Sequence, residues 1–184
     1  MRSGIVPARL LTAVAAPLFT GFLFALVFAP MAVEARRAAS NEHVQRQRGG
    51  MEATGDVYRI MRLAYPGAFL VMILEQAVRG EGPCWAVVAG LALFIAAKVV
   101  KWWAIVTLGS SWTFRVIVVP GAPLVAGGPY RYVRHPNYLA VIGELVGTAL
   151  MAGAFIAGPI GVVGFGLLMW KRIAVEERAL RSGR

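Results

Sequence analysis

Hydrophobic positions along this chain fall into long, nearly unbroken runs separated by short polar stretches, rather than into the alternations of soluble helices or strands. The first run, from about Leu10 to Val33, has a core close to the ~20 residues needed to cross hydrocarbon, longer than the ~7–15 of a signal-peptide core. Arg2 and Arg9 ahead of it therefore read as flanks of a retained helix. From Glu34 to Arg59 the chain is charged and carries a Gly49-Gly50 break, which predicts a loop with room for a short interfacial helix. Runs at about 60–78 and 84–108 are joined by Arg79-Gly80-Glu81-Gly82-Pro83, a tight turn that predicts antiparallel neighbours. The segment 109–137 is rich in Gly and Pro, with Trp112, Phe114, Val116 and Val118 alternating, and predicts an irregular or extended surface stretch.

The last run, Leu139 to Trp170, is too long for a single crossing. As one helix it would measure about 48 Å against a hydrocarbon core of about 30 Å. Gly153, Gly158 and Pro159 in its middle make a poor helix interior and a good turn. Two short helices, about 139–154 and 159–173, are expected to form a tight hairpin, with Gly143 and Gly147 on one leg facing Gly161 and Gly164 on the other. The expected fold is an all-α integral membrane protein of about five transmembrane helices, one domain over 1–184, with the chemistry in 109–184.

Composition agrees. Hydrophobic residues make up 58% of the 184 and charged residues only 15%, and the mean hydropathy is +0.65; an average soluble domain is about 25% charged. Cys84 is alone, which excludes an internal disulfide and a thiolate metal cluster. No metal is expected. The net charge of +10 follows membrane topology. With five spans, the 34–59 stretch, the 109–137 segment and the C-terminus share one side and collect most Arg and Lys, while the other side holds Arg2, Arg9 and Arg79. The positive-inside rule then puts the N-terminus outside and the C-terminus in the cytoplasm. That rule already accounts for the basic residues, so no nucleic-acid partner is expected; membrane lipids are.

Polar groups bracket the final hairpin. Before it stands Arg134-His135-Pro136-Asn137-Tyr138, where a proline opens a helix and its free N–H groups and positive dipole end suit a carboxylate or phosphate. After it come Arg172 and Glu176, four residues apart and on one helix face. Glu144, inside an apolar helix, needs a partner or a polar pocket; pairing to Lys98, Lys101 or Arg134 for assembly and lining a cofactor pocket both satisfy that need. Glu75, near a helix end, reads as a snorkelling or packing residue.

Together these residues resemble the isoprenylcysteine carboxyl methyltransferase family of integral membrane enzymes. The likeness lies in Gly128-Pro129-Tyr130 leading to Arg134-His135-Pro136-Asn137-Tyr138, in Glu144 downstream, in the glycine-rich hairpin, and in Arg172-Ile173 followed by Glu176-Glu177 and Leu180. It covers about the last third of the chain. It implies S-adenosylmethionine in a cytoplasmic pocket contacted by Tyr130, Arg134, His135, Pro136, Tyr138 and Glu144, a catalytic pair Arg172 and Glu176, and a lipophilic acceptor drawn from the bilayer. Asn41-Glu42, Arg48-Gly49-Gly50 and Ser111-Trp112-Thr113 look like a short bacterial branch, some members of which are associated with polyketide synthases and methylate alkylated phenols or pyrones. The chain lacks, after Glu177, the aromatic-rich tail of the eukaryotic enzymes, so a free lipid is expected rather than a protein-linked prenylcysteine. Two alternatives remain: an NADPH-dependent membrane reductase of sterol type, whose members carry a similar Arg-His-x-Asn-Tyr motif, and a small transporter using Glu75, Lys98, Lys101 and Glu144 as a polar path.

Overall fold

The computed structural model describes residues 8–80 and 82–182, with side chains from residue 16 to residue 181 apart from residue 81. Among the described residues, five helices carry the fold: α1 (Ala8–Gln47), α2 (Tyr58–Arg79), α3 (Cys84–Leu108), α4 (Pro136–Ala152) and α5 (Ala157–Ser182). Two two-residue strands, β1 (Met51–Glu52) and β2 (Ile117–Val118), pair antiparallel with Met51 opposite Val118. Arg2 lies outside the described residues, as does Glu81 in the turn.

Among the described residues, four stretches are long and apolar enough to cross a membrane, namely Ala16–Gln47, Tyr58–Arg79, Cys84–Ser111 and Ala157–Arg181. The chain is an integral membrane protein. The fifth expected span, α4, has 17 residues, about 26 Å of helix against the ~30 Å core, and falls short of those four. As expected, the 139–170 run does fold back. Helix α4 ends at Gly153, whose φ of +59° and αL geometry let its N–H cap the last carbonyls, and α5 starts four residues later.

Three expectations need correction. The 34–59 stretch is not mostly loop: α1 runs on to Gln47 and stops at the Gly49-Gly50 break. Its polar face has work to do there, because Asn41 Nδ2 donates to the carbonyls of Gly109 (3.0 Å) and Trp112 (2.8 Å), and Gln45 Nε2 to that of Ser110 (2.8 Å). The helices α2 and α3, although joined by a tight turn, barely touch; α4 packs against both, most extensively against α3. The glycines also pair differently. A Cβ on Gly147 would stand 2.8 Å from the carbonyl oxygen of Gly90 and 2.9 Å from the N of Phe94. Gly143 likewise faces Ala97, so Gly143 and Gly147 serve the α3–α4 contact. Gly161 faces Met72 and Ala68 of α2. Close approach of small residues is what lets membrane helices gain packing energy.

The apolar core runs through the bundle from Leu23 and Val27 of α1 through Phe69, Met72, Phe94 and Leu145 to Phe165 and Met169 of α5. A smaller cluster of Ala38, Ile105 and Trp112 seats the 109–112 turn against the extension of α1. Glu75 is a capping residue: its carboxylate accepts the N–H of Ile156 (3.2 Å) and of Ala157 (2.7 Å) at the start of α5, and it pairs with Arg79. Those N–H groups have no partner within their own helix, and a carboxylate there also meets the positive dipole end.

Candidate functional site

The hairpin brings its two polar brackets together. Arg172, nearly three turns before the end of α5, is buried with its side chain 8% exposed. Its Nε donates to the Tyr138 hydroxyl at 3.0 Å, its Nη1 to Asp56 Oδ1 at 3.1 Å, and its Nη2 to the Phe114 carbonyl. The Tyr138 hydroxyl in turn donates to Glu176 Oε2 at 2.6 Å. A guanidinium offers five N–H groups in a fixed plane; three are engaged here, which leaves two for a ligand. One phenol thus couples the cation of α5 to the carboxylate one turn further on.

Beside this node, Pro136 is buried at the first position of α4 and His135 caps the helix from non-helical backbone. The His135 ring stacks on Tyr138 at 5.4 Å between centroids. Its Nε2 is buried, has no hydrogen-bond partner, and lies 3.6 Å from Glu177 Oε1. Tyr130, in the short 3₁₀ turn Gly128–Arg131, is half-buried; burial first, and the nearby Glu176 charge second, push its hydroxyl well above the ordinary value. It therefore stays a neutral donor at any physiological pH. Arg134 is exposed.

Glu144 sits elsewhere, in a buried charge cluster that joins four helices. Lys98 Nζ lies 2.7 Å from Glu34 Oε1 and 3.0 Å from Glu144 Oε2; Lys101 Nζ lies 2.6 Å from Glu34 Oε2 and 3.2 Å from Glu144 Oε1. Tyr65 adds a hydroxyl to Glu144. Glu34 Oε2 and Glu144 Oε1 have Lys101 at ion-pair distance but no hydrogen bond, while the other oxygen of each carboxylate accepts one, Glu34 Oε1 from Lys98 (2.7 Å) and Glu144 Oε2 from Lys101 (3.4 Å), so two cations balance two anions. Of the partners open to Glu144, the structure selects Lys98 and Lys101. An unpaired charge at this depth would cost far more than a paired one.

Asp56 is the residue sequence reasoning missed. It precedes α2, accepts the Tyr58 N–H (3.1 Å) and the Val116 N–H (2.9 Å), and holds Arg172 with its own side chain only 3% exposed. In sequence it resembles any turn aspartate that bonds the backbone two residues on, and nothing local ties it to an arginine 116 positions away. Glu34 escaped notice for a similar reason, lying at the edge of what reads as a loop.

The profile of the isoprenylcysteine carboxyl methyltransferase (ICMT) family matches residues 90–182. The chain belongs to that family, and so to a class of membrane methyltransferases. It is 30% identical over 162 residues to the uncharacterized protein YpbQ of Bacillus subtilis (strain 168), covering 87% of this chain and 95% of that one. A probable protein-S-isoprenylcysteine O-methyltransferase of Oryza sativa subsp. indica is 36% identical over 99 residues, half of each chain. Protein-S-isoprenylcysteine O-methyltransferase A of Arabidopsis thaliana is 31% identical over 104 residues, 53% of this chain and 51% of that one. The chain therefore spans about half the length of these plant enzymes. No solved structure matches. Between methyl transfer, reduction and transport, family membership favours the first.

Proposed function

We propose that the protein is an S-adenosylmethionine-dependent O-methyltransferase acting on a carboxylate or phenol of a prenylated or alkylated small molecule drawn from the bilayer. The observation that carries this reading is the junction of Arg172, Tyr138 and Glu176 at the open end of the α4–α5 hairpin. When bound, the cofactor supplies an electrophilic methyl. The residues suit it: the buried His135 Nε2 lacks a partner that a polar ligand would provide, Tyr130 is a neutral donor, and the exposed Arg134 matches a carboxylate. Pro136 and Tyr138, beside His135 at the start of α4, complete the set that would contact it.

Arg172 uses its two uncommitted N–H groups to orient the acceptor oxygen by charge-assisted bonds. Glu176 holds Tyr138, and hence Arg172, in place; with a phenol it is also the base that takes the proton. Attack of an anionic oxygen on a cationic methyl donor cancels both charges, so a poorly hydrated site at the membrane surface favours it, and fixing the two partners in line removes most of the remaining entropic barrier. The basic side of the molecule faces the cytoplasm, where the cofactor is made available. The short bacterial branch, and with it a free lipid acceptor, remains the preferred substrate class.

Membranes carrying Arg172→Ala should lose methyl transfer from labelled donor while still binding the cofactor product by calorimetry. Near-normal turnover would refute the role given to Arg172. His135→Ala should instead weaken cofactor-product binding, and unchanged affinity would count against its place in the pocket.

A further inference from the structure

Between β2 and the 3₁₀ turn Gly128–Arg131 the chain runs through Val119-Pro120-Gly121-Ala122-Pro123-Leu124-Val125-Ala126-Gly127, and it is exposed from Pro120 to Gly127. From Val116 to Tyr130 no residue is charged, and from Gly82 to Gly143 none is acidic. The loop leaves the strand by a turn that its sequence dictates. Ala122 N–H donates to the Val119 carbonyl at 3.2 Å across Pro120 and Gly121, and Gly121 takes the left-handed φ of +74° that a type II turn needs at its third residue. The loop rejoins the fold at Gly128, where a Cβ would collide with the Thr107 side chain. Thr107 is the second-last residue of α3, so this close approach pins the end of the loop at the level where α3 leaves the membrane.

The surroundings at that level are apolar and unpartnered. Trp103 and Val106 are exposed on the last two turns of α3, and Leu139 on the first turn of α4; on a spanning helix such side chains face lipid. Tyr132 is 74% exposed and Leu124, at the loop's tip, 51%. The Arg131 guanidinium lies 5.7 Å from the centre of the Tyr132 ring. Tryptophan, tyrosine and arginine grouped near helix ends are the residues of the membrane–water interface. The backbone limits how deep the loop can go. Among the described residues, the peptide groups of 123–126 have no hydrogen-bond partner, and in hydrocarbon each would stay unsatisfied. The hydrated headgroup layer satisfies them while Leu124 and Val125 reach the acyl boundary.

We infer that the 119–127 loop and Tyr132 form an interfacial anchor, seated in the leaflet on the site's side of the membrane, and that Arg131 there meets the phosphate of an anionic headgroup. With no acidic residue between Gly82 and Gly143, an anionic surface meets no local repulsion. A soluble partner protein would also bury Leu124, but the level of the loop, shared with the lipid-facing Trp103 and Leu139, favours the bilayer. The inference needs only that the chain spans a membrane and stands apart from the methyltransferase reading. The anchor joins the Val116 N–H, held by Asp56, to Tyr130, so it also ties that edge of the site to the bilayer surface.

The test uses the full chain with Cys84→Ser in lipid nanodiscs, carrying a bimane at Leu124→Cys, at Val133→Cys or, for comparison, at Gln47→Cys on the far end of α1. All of these positions are exposed, and melting in detergent checks that each labelled chain is folded; should Leu124→Cys fail, Val133→Cys reads the same quantity. Lipids brominated near the top of the acyl chain should quench the Leu124 and Val133 labels and spare Gln47, and aqueous iodide should do the opposite. Adding phosphatidylglycerol to phosphatidylcholine should raise the inserted-to-free ratio of the Leu124 label, and Arg131→Gln should cut that ratio by about fivefold, equivalent to the ~1 kcal/mol that one basic residue gains at an anionic surface. Bromolipid quenching at Leu124 no greater than at Gln47 overturns the inference. Protection from iodide without bromolipid quenching, or crosslinking of Leu124→Cys between two copies, would put protein on the loop and overturn it equally. A ratio that Arg131→Gln leaves unchanged would refute the headgroup contact.

Discussion

Asp56→Asn isolates what holds Arg172. The substitution keeps the shape of the side chain and an oxygen for the Val116 or Tyr58 N–H, but removes the charge that faces the guanidinium at 3.1 Å. Breaking a buried ion pair outright costs about 3–5 kcal/mol. Here Arg172 keeps Tyr138 and the Phe114 carbonyl as acceptors, so the loss should be nearer that of one hydrogen bond to a charged group, about 1.5–3 kcal/mol. If that energy holds the guanidinium in its reactive orientation, kcat should fall roughly ten- to hundredfold, while affinity for the cofactor product stays as it was. Asp56→Glu, which restores the charge a methylene too far out, should recover part of kcat, a recovery that loss of fold would not give. Methyl transfer from labelled donor, calorimetry with the cofactor product and melting in detergent read the three quantities separately. If Asp56→Asn turns over like the natural protein, Arg172 does not depend on Asp56 and the positioning argument is wrong.

Other expectations follow from the same geometry. Glu144→Gln leaves Lys98 and Lys101 facing Glu34 alone, and should lower stability by about 3–5 kcal/mol; adding Lys101→Met restores the charge balance and should recover much of the melting temperature, whereas loss of cofactor-product affinity at unchanged melting temperature would put Glu144 in the pocket instead. Gly147→Val drives a side chain into the Gly90 carbonyl and the Phe94 nitrogen, backbone atoms that cannot yield, so the folded protein should not be recovered; Gly164→Ala, with open space around it, should express normally, and equal behaviour of the two would refute the packing assignment. Burial raises the carboxyl pKa of Glu52, but hydrogen bonds from Arg115 and Arg46 outweigh it and the net shift is downward from the ordinary 4.5. Its folded pKa being the lower one, the stabilisation is full above 4.5 and disappears as pH falls through the folded value. Glu52→Gln should therefore flatten the melting temperature between pH 5 and acid, and an unaltered acid slope would show that other carboxylates set it.

What local pattern could show of this molecule was length and interruption. Run length gave the membrane helices, and the Gly-Pro content of the last run gave its reversal at Gly153. The meeting of Tyr138 with Arg172 and Glu176 followed from that reversal. Which helix faces which could not follow, because an all-round apolar helix has no sequence-defined inner face: hence α4 rather than α2 lies against α3, and Gly143 and Gly147 serve a different neighbour from the one expected. The continuation of α1 past Glu34 was hidden because a charged, polar stretch reads as loop unless something else is known to pack on it. Here the packing partner is the 109–112 turn, brought in from 68 and 71 positions away by Asn41.

That continuation has a consequence for the site. Asn41 and Gln45 fix the carbonyls of 109–112; the chain leaving that turn supplies the Phe114 carbonyl to Arg172 and the Val116 N–H to Asp56. The β1–β2 pair and the Arg115 contacts with Glu42 and Glu52 close the same loop from the other side. Arg172 is thus oriented by three segments far apart in sequence, and none of its three bonds belongs to its own helix. A guanidinium set in this way loses little freedom when it binds an oxygen anion, which is the condition under which charge-assisted bonds contribute most to a transition state. The N-terminal half of the chain, which carries none of the residues expected to contact the cofactor or the acceptor oxygen, thus holds Arg172 directly through Asp56 and indirectly through the turn that Asn41 and Gln45 anchor.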